Sequence, residues 1–431
     1  MSAADAAPPR KPLGFWACWS LTVGVMIGSG VFMLPAALAP YGVLSYGGWL
    51  ISAAGAIVLA LTVGRLAQRM PLSGGPYVYV RDAFGDLAGF MAGWGYWVSY
   101  WTAIPAIAIA FAAYAPSVAP AIGADARTQT TLALALIWTL TLIALRGVRE
   151  TGAVQIIMTL AKLVPLLAII ALGAIAGDVR NAPALNPSGL PPLQVFAATA
   201  LLTMWAFSGL EAGAAPASDV EAAHRTIPRA IVAGVVTVTI LYLSASAAVA
   251  ALVPPDALAS SGAPFADAAR AFGPWGPPMI AIGAMIAAAG ALNGTIFVAG
   301  QLPMAVARDG LAPSILARRN AGGAPAFALV LSSALGSALL IANATRGLAA
   351  AFTFLLTMST LTVLIPLLAS AAAEMRRSWR TAPGWAAIAL SAAAYCIFAI
   401  LGAGAQALFW GLVLMALGAP LYFLACRKTR A

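Results

Sequence analysis

Long apolar segments alternate with short polar ones along the whole chain. About 20 consecutive apolar residues are needed for one α-helix to cross a bilayer, and the alternating polar and apolar positions of a membrane β-barrel are absent. The pattern therefore predicts an all-α polytopic membrane protein. Its twelve transmembrane helices are expected at 13–39, 44–68, 87–115, 128–146, 151–177, 193–216, 229–253, 277–307, 325–344, 347–373, 384–403 and 406–426.

Composition agrees with this prediction and excludes a water-soluble domain. Of the 431 residues, 62% are hydrophobic and 8% are charged, whereas soluble proteins carry about 25% charged residues. The first apolar segment has no small-residue cleavage site, so we interpret it as a span rather than a signal peptide. The tails, 1–12 and 427–431, are short and polar.

The basic residues fix the predicted orientation. With the N-terminus inside, 18 of the 23 Lys and Arg residues fall in the cytoplasm and four fall outside, as the positive-inside rule requires. Both termini are then cytoplasmic, and a cell (inner) membrane is expected. The four outside residues are Arg127, Arg180, Arg270 and Arg346.

The net charge of +10 is spread over short loops instead of one face, so no nucleic-acid partner is expected. The three cysteines, in or at the end of apolar segments, show no metal-ligand spacing. We expect no metal and no cofactor. A lone histidine, His224, lies in a loop, and no carboxylate pair is visible at membrane depth. An intramembrane enzyme is therefore not favoured, and a channel is not favoured because no ring of like charges is visible.

Two ionisable residues fall inside predicted spans. Lys162 lies in the middle of span five, and Glu211 is the deepest acidic residue, in span six. Charges in hydrocarbon are costly and usually mark a transport path, although a satisfied internal contact would also explain them.

Spans one and six are interrupted at their centres. Span one contains Gly28-Ser29-Gly30, and span six contains WAFSGLEAG from Trp205 to Gly213. These spans hold matching positions in two five-helix units, and paired interruptions of this kind point to a substrate site in an inverted-repeat transporter. Unwound backbone leaves free N–H groups at the start of a half-helix, which bind a carboxylate. The spacing of Gly24 and Gly28 also fits close helix packing.

Five motifs along nearly the whole chain resemble the amino acid–polyamine–organocation transporters, and among them the basic amino acid and polyamine antiporters such as those exchanging arginine for agmatine. The motifs are GVMIGSGVFMLP (24–35), PLSGGPYVYVRDAFG (71–85), WAFSGLEAG (205–213), TIPRA (226–230) and ARDGLAP (307–313). The resemblance implies a five-plus-five inverted-repeat (LeuT-like) fold with discontinuous helices 1 and 6. The transport core is then 13–373, with repeats at about 13–177 and 193–373, and helices 11 and 12 occupy 384–426.

The resemblance also implies site residues. Ser29 and Gly30 match positions that bind the substrate carboxylate, and Trp205 matches the aromatic that covers the substrate. Tyr96 and Glu211 match an aromatic and an acid linked to the inner gate and proton sensing. The full substrate-binding set is Ile27, Gly28, Ser29, Gly30, Trp205, Phe207, Ser208, Gly209, Asn293 and Thr295, and the gating set is Tyr96, Lys162 and Glu211.

Some positions depart from the arginine/agmatine pattern. Thr295 stands where a second covering Trp is expected, Ile104 where an Asn is expected, and Leu367 where a gate Tyr is expected. Lys162, within VQIIMTLAKLVPLL (154–167), resembles the lysine that replaces a sodium ion in sodium-independent amino acid transporters. The predicted function is sodium-independent exchange of basic amino acids or their amines, with protons and the lipid bilayer as further partners. A proton-coupled symporter of small neutral amino acids is the alternative, and a homodimer is compatible with the family.

Overall fold

The computed structural model describes residues 14–70, 75–122, 125–146, 152–209 and 222–429. Within these ranges the chain forms seventeen α-helices joined by short turns. They are α1 (Phe15–Met26), α2 (Gly30–Leu38), α3 (Leu44–Arg69), α4 (Pro76–Phe84), α5 (Asp86–Val118), α6 (Ala126–Leu145), α7 (Gly152–Ala176), α8 (Pro192–Met204), α9 (Ala223–Leu252), α10 (Pro255–Ser260), α11 (Pro264–Ala268), α12 (Gly276–Arg308), α13 (Ala326–Asn343), α14 (Leu348–Ser378), α15 (Pro383–Leu401), α16 (Gly404–Ala416) and α17 (Gly418–Thr429).

Many of these helices are long enough to span a membrane. Across the described ranges, nine helices are long and apolar enough to cross a bilayer, and α1 and α2, bent by 51° at their break, make up to ten if the pair is one span. Helices α7 and α8 fall in the predicted spans five and six. A chain with this many apolar helices crosses the membrane several times. The exact number of twelve spans stays a prediction.

Helix ends follow local chemistry. Pro76, Pro192 and Pro383 stand at the first position of α4, α8 and α15, where the missing N–H costs no hydrogen bond. Asp125 caps α6 by accepting a hydrogen bond from the Thr128 N–H at 2.9 Å. Hydrogen bonds from the Thr128 side chain and from its backbone N–H lower the Asp125 pKa. Because no water competes in the bilayer, each span must satisfy its backbone internally, which helices do.

Helix α5 is the centre of the molecule. It is buried along most of its length and packs against α12, α13 and α14. A second group of helices forms around the interrupted spans, since α3 packs against α8 and α9, and α1 packs against α9. The two groups, called here the α5 group (α5, α12, α13, α14) and the α3 group (α1, α3, α8, α9), meet where α14 packs against α3 and α8.

One helix is longer than the pattern predicts. Span ten was expected to end at residue 373, but α14 continues to Ser378 and buries Glu374 completely. The sequence pattern places this carboxylate outside the span, so its burial is a departure from the prediction.

Helix α4 lies between spans two and three and is tied to neighbouring helix ends. The Tyr77 hydroxyl donates to Asp309 Oδ2 at 2.7 Å, and Arg81 donates to the same oxygen at 2.9 Å. Burial, followed by the hydrogen bond to Asp309, raises the Tyr77 pKa. Tyr77 therefore stays protonated at physiological pH and keeps donating to the carboxylate.

Candidate transport site

The first break separates α1 from α2. Helix α1 ends at Met26, and the extended backbone of Ile27 (ψ 93°) carries the chain out of the helix before α2 starts at Gly30. Ser29 is buried and makes no side-chain cap hydrogen bond to α2, while the Phe32 N–H bonds to the Ser29 carbonyl at 3.2 Å. The start of α2 therefore presents backbone N–H groups and the positive end of a helix dipole to the break.

The second break follows α8. The α-helix ends at Met204 and tightens into a 3₁₀ turn over Trp205–Phe207. Gly209 then adopts a φ of +87°, a conformation that favours glycine because it has no Cβ. Glu211 and the rest of the segment 210–221 lie outside the described residues.

The two breaks lie in direct contact. A Cβ added to Gly30 would come 2.4 Å from Trp205 Cδ1, and one added to Gly209 would come 2.4 Å from Val25 Cγ1. The indole of Trp205 therefore rests on the backbone at the start of α2, at a distance that only glycine permits. The structure thus brings together Gly30, Trp205 and Gly209 from the predicted substrate-binding set.

Tyr242 of α9 reaches both breaks and was not anticipated from the sequence. Its hydroxyl donates to the carbonyl of Met26 at 2.8 Å and lies 3.5 Å from the carbonyl of Ala206. The Met26 carbonyl stands at the end of α1, where the chain has left the helix and its usual donor is lost. Tyr242 supplies a donor from another helix.

An aromatic cluster supports this hydroxyl. The rings of Trp49, Phe207 and Tyr242 lie within 6.2 Å of one another, measured between centroids. All three side chains are fully buried. The side chain of Phe207, which belongs to the predicted substrate-binding set, is therefore packed into this cluster.

The second half of the broken span is fixed by Tyr114 of α5. Its hydroxyl donates to the Phe32 carbonyl at 2.7 Å and accepts from the Phe265 N–H at 3.3 Å. The ring of Phe32 packs edge-on against both Tyr114 and Phe265. Helix α2 is thus attached to the α5 group at this end by neutral hydrogen bonds.

Lys162 is buried in α7 and faces α12. The side chain is 5% exposed, and a Cβ added to Gly290 would come 3.8 Å from Lys162 Cε. The next residue, Ala291, is the one that faces Gly28, since a Cβ added to Gly28 would lie 3.7 Å from Ala291 Cβ. One turn of α12 therefore lies beside both the buried lysine and the first break.

The remaining predicted residues differ in their burial. The Thr295 hydroxyl donates to the Ala291 carbonyl at 2.9 Å, whereas Asn293 is half-buried and Ser208 is exposed. Tyr96 is buried in α5, with its ring edge-on to Tyr100 at a centroid distance of 5.3 Å.

The departures from the arginine/agmatine pattern are filled by packing. Ile104 is fully buried, and its Cγ2 would lie 3.1 Å from a Cβ on Gly336 of α13. Leu367 of α14 is also buried. These positions are occupied by buried apolar side chains instead of an amide or a phenol.

Comparison with known proteins shows which family and which proteins the chain is similar to. A family model described as amino acid permease matches residues 13–426. An arginine/ornithine antiporter of Pseudomonas aeruginosa is 32% identical over 335 residues, which cover 75% of this chain and 69% of that protein. A cadaverine/lysine antiporter of Escherichia coli (strain K12) is 29% identical over 333 residues, covering 77% and 74%. The putrescine transporter PotE of the same strain is 29% identical over 412 residues, covering 93% of each chain.

Proposed function

The chain belongs to the amino acid permease family, and we propose that it exchanges basic amino acids or their amines across a membrane by alternating access, without sodium. The observation that carries this proposal is the contact between the two breaks, where the Trp205 indole lies on the backbone of Gly30. Unwound backbone at membrane depth is tolerated where it lines a cavity or a binding site.

The site offers two kinds of recognition. The N–H groups at the start of α2, together with the Ser29 hydroxyl, suit a substrate carboxylate. The face of the Trp205 indole suits an ammonium or guanidinium group, which is attracted to the ring quadrupole. An amino acid would use both, whereas a diamine would use the aromatic face.

The relatives support a basic substrate. They are named for the exchange of arginine and ornithine, for the exchange of cadaverine and lysine, and for transport of putrescine. Each of these substrates carries a cationic amine or guanidinium group besides any α-amino group. We therefore propose basic amino acids and diamines as the substrate class.

The wider architecture is proposed with the function. Twelve spans in a five-plus-five inverted repeat, with helices 11 and 12 outside the repeat, would place the breaks in corresponding helices. Cytoplasmic termini in a cell (inner) membrane are supported by the 18-to-4 distribution of basic residues. A homodimer in the lipid bilayer remains a prediction, which crosslinking in native membranes would test.

Exchange in proteoliposomes tests the proposed function. We expect labelled arginine, lysine, ornithine or putrescine to enter vesicles only when one of these compounds is inside. An exchanger changes from one open arrangement to the other only with a substrate bound. Uptake should not depend on sodium. Uptake of alanine or serine driven by a pH gradient into empty vesicles would instead support a symporter of neutral amino acids and contradict the proposal.

Lys162 and Glu211 are proposed for proton coupling, and variants of the two residues distinguish their roles. We expect Glu211→Gln to remove the stimulation of exchange by a pH gradient, because glutamine cannot carry a proton at that position. Lys162→Met should lower exchange about tenfold, within the usual range of coupling free energies, while leaving it responsive to the gradient. Lys162→Arg, which keeps the charge, is the control. Loss of the pH response in Lys162→Met alone would assign the proton to the lysine.

A further inference from the structure

A cluster around a buried carboxylate joins α3, α14 and α15. It lies at the end of the bundle that the basic residues assign to the cytoplasm. Glu374, in the last turns of α14, is 0% exposed. Arg65 Nε lies 3.2 Å from its Oε1, and Arg69 Nη1 lies 3.1 Å from its Oε2. The Ser378 hydroxyl donates to Oε1 at 2.5 Å. Both carboxylate oxygens therefore have charged donors from α3.

The arginines are themselves held in place. The guanidinium of Arg65 lies over the ring of Trp385, 4.4 Å from its centroid, at the start of α15. Side chains of Arg65 and Arg69 are 25% and 31% exposed, whereas that of Glu374 is 0% exposed. Removing one partner of such a buried pair leaves a desolvated charge, which is far costlier than losing a surface ion pair.

The cluster crosses the boundary between the two helix groups. Arg65 and Arg69 belong to α3, which packs against α8 and α9. Glu374 belongs to α14, which packs along α5. A site between the groups opens toward this end only if the groups separate here, and that separation must break or distort the contacts of Glu374.

We propose that Glu374 is a positioning residue that holds the cytoplasmic side of the substrate site closed through Arg65 and Arg69. The inference rests on the proposed exchange function. When the cluster is intact, the closed arrangement at this end is favoured and the site is available to substrate from the opposite side. When Glu374 loses its charge, the balance moves toward the arrangement open to the cytoplasm.

A second ion pair on the same helix provides a matched control. Arg377 of α14 pairs with Asp82 of α4, but α4 packs against α5 and α14. This pair lies at the same end and involves the same helix, yet it connects α14 to a helix that packs against the α5 group and not to α3. Breaking it should leave the balance between the two open arrangements unchanged.

The test compares half-saturating substrate concentrations on the two faces of the membrane. In proteoliposomes of one orientation, Glu374→Gln should raise the external KM for labelled lysine and lower the internal KM. Apparent affinity scales with the fraction of transporters that face the substrate, so we expect the external-to-internal KM ratio to change by about 5-fold or more. Asp82→Asn should keep the native ratio, and Glu374→Asp should restore it at least in part.

The possible outcomes distinguish failure of this inference from failure of the proposed exchange function on which it rests. An unchanged KM ratio in Glu374→Gln, with only the maximal rate reduced, would mean that the cluster serves folding alone and would overturn the proposal. If Glu374→Gln does not fold, Arg69→Gln keeps one arginine on the carboxylate and is measured in the same way, with the same ratio deciding. Absence of lysine exchange by the native protein would instead refute the proposed substrate class.

Discussion

Replacing Gly30 with alanine will reduce substrate exchange to about a tenth or less of the native rate at fixed substrate concentration. The new methyl group would lie 2.4 Å from Trp205 Cδ1, so the indole or the start of α2 has to move. Overpacking of a tight contact costs about 1–3 kcal/mol, and about 1.4 kcal/mol corresponds to a factor of ten in affinity. Because this contact is the proposed substrate site, the cost falls on binding. The measurement is labelled-substrate exchange and binding with purified protein.

The matched control for this prediction is Gly294→Ala. Gly294 lies in α12, in the turn that approaches the first break, and a Cβ there meets no atom within 4 Å. The alanine should leave exchange near native, since alanine also favours the helix. Native substrate affinity in Gly30→Ala would contradict the assignment of the two breaks as the site, whatever its effect on stability.

Tyr242→Phe is expected to destabilise the protein by about 1–3 kcal/mol, the usual cost of leaving a buried polar group without its partner. The variant keeps the ring packed against Trp49 and Phe207 but removes the donor to the Met26 carbonyl. The end of α1 then loses the contact that fixes the break. We expect slower exchange together with a lower melting temperature in detergent.

Thr239→Val tests whether this effect is specific to the break. Thr239 lies one turn earlier on the same helix, is buried, and donates its hydroxyl to the Val235 carbonyl at 2.7 Å. That carbonyl sits inside the helix, where the backbone ladder already supplies a donor, so the isosteric change should be nearly neutral. Equal losses in the two variants would show that the Tyr242 hydroxyl has no special role.

The family and the class of function were accessible from the sequence alone. The five motifs identified the transporter family, and the family match over residues 13–426 confirms it. The relatives are transporters, which confirms the prediction that the chain is not an enzyme. The break in span one was visible because Gly28-Ser29-Gly30 interrupts an apolar run, and local sequence suffices to unwind a helix there.

The residues that contact the two breaks could not be predicted from the sequence. Tyr242 stands in an apolar helix and has the pattern of an ordinary core aromatic, and its acceptor lies 216 residues away. Glu374 follows the predicted end of span ten, so only the extra turns of α14 reveal its burial. Both roles depend on which helices meet in three dimensions, and hydrophobic periodicity carries no information about that.

The bond from Tyr242 to Met26 also has a consequence for how the protein is made. The bend in the first span is completed by a side chain that the ribosome produces only after more than half of the chain has been synthesised. When that first span enters the bilayer, α9 is not yet present to donate a hydrogen bond to the exposed Met26 carbonyl, and hydrocarbon offers no substitute. The contact that fixes the bend therefore forms late, when α9 packs against α1, and a nascent chain truncated before α9 should carry its first span without this bend fixed.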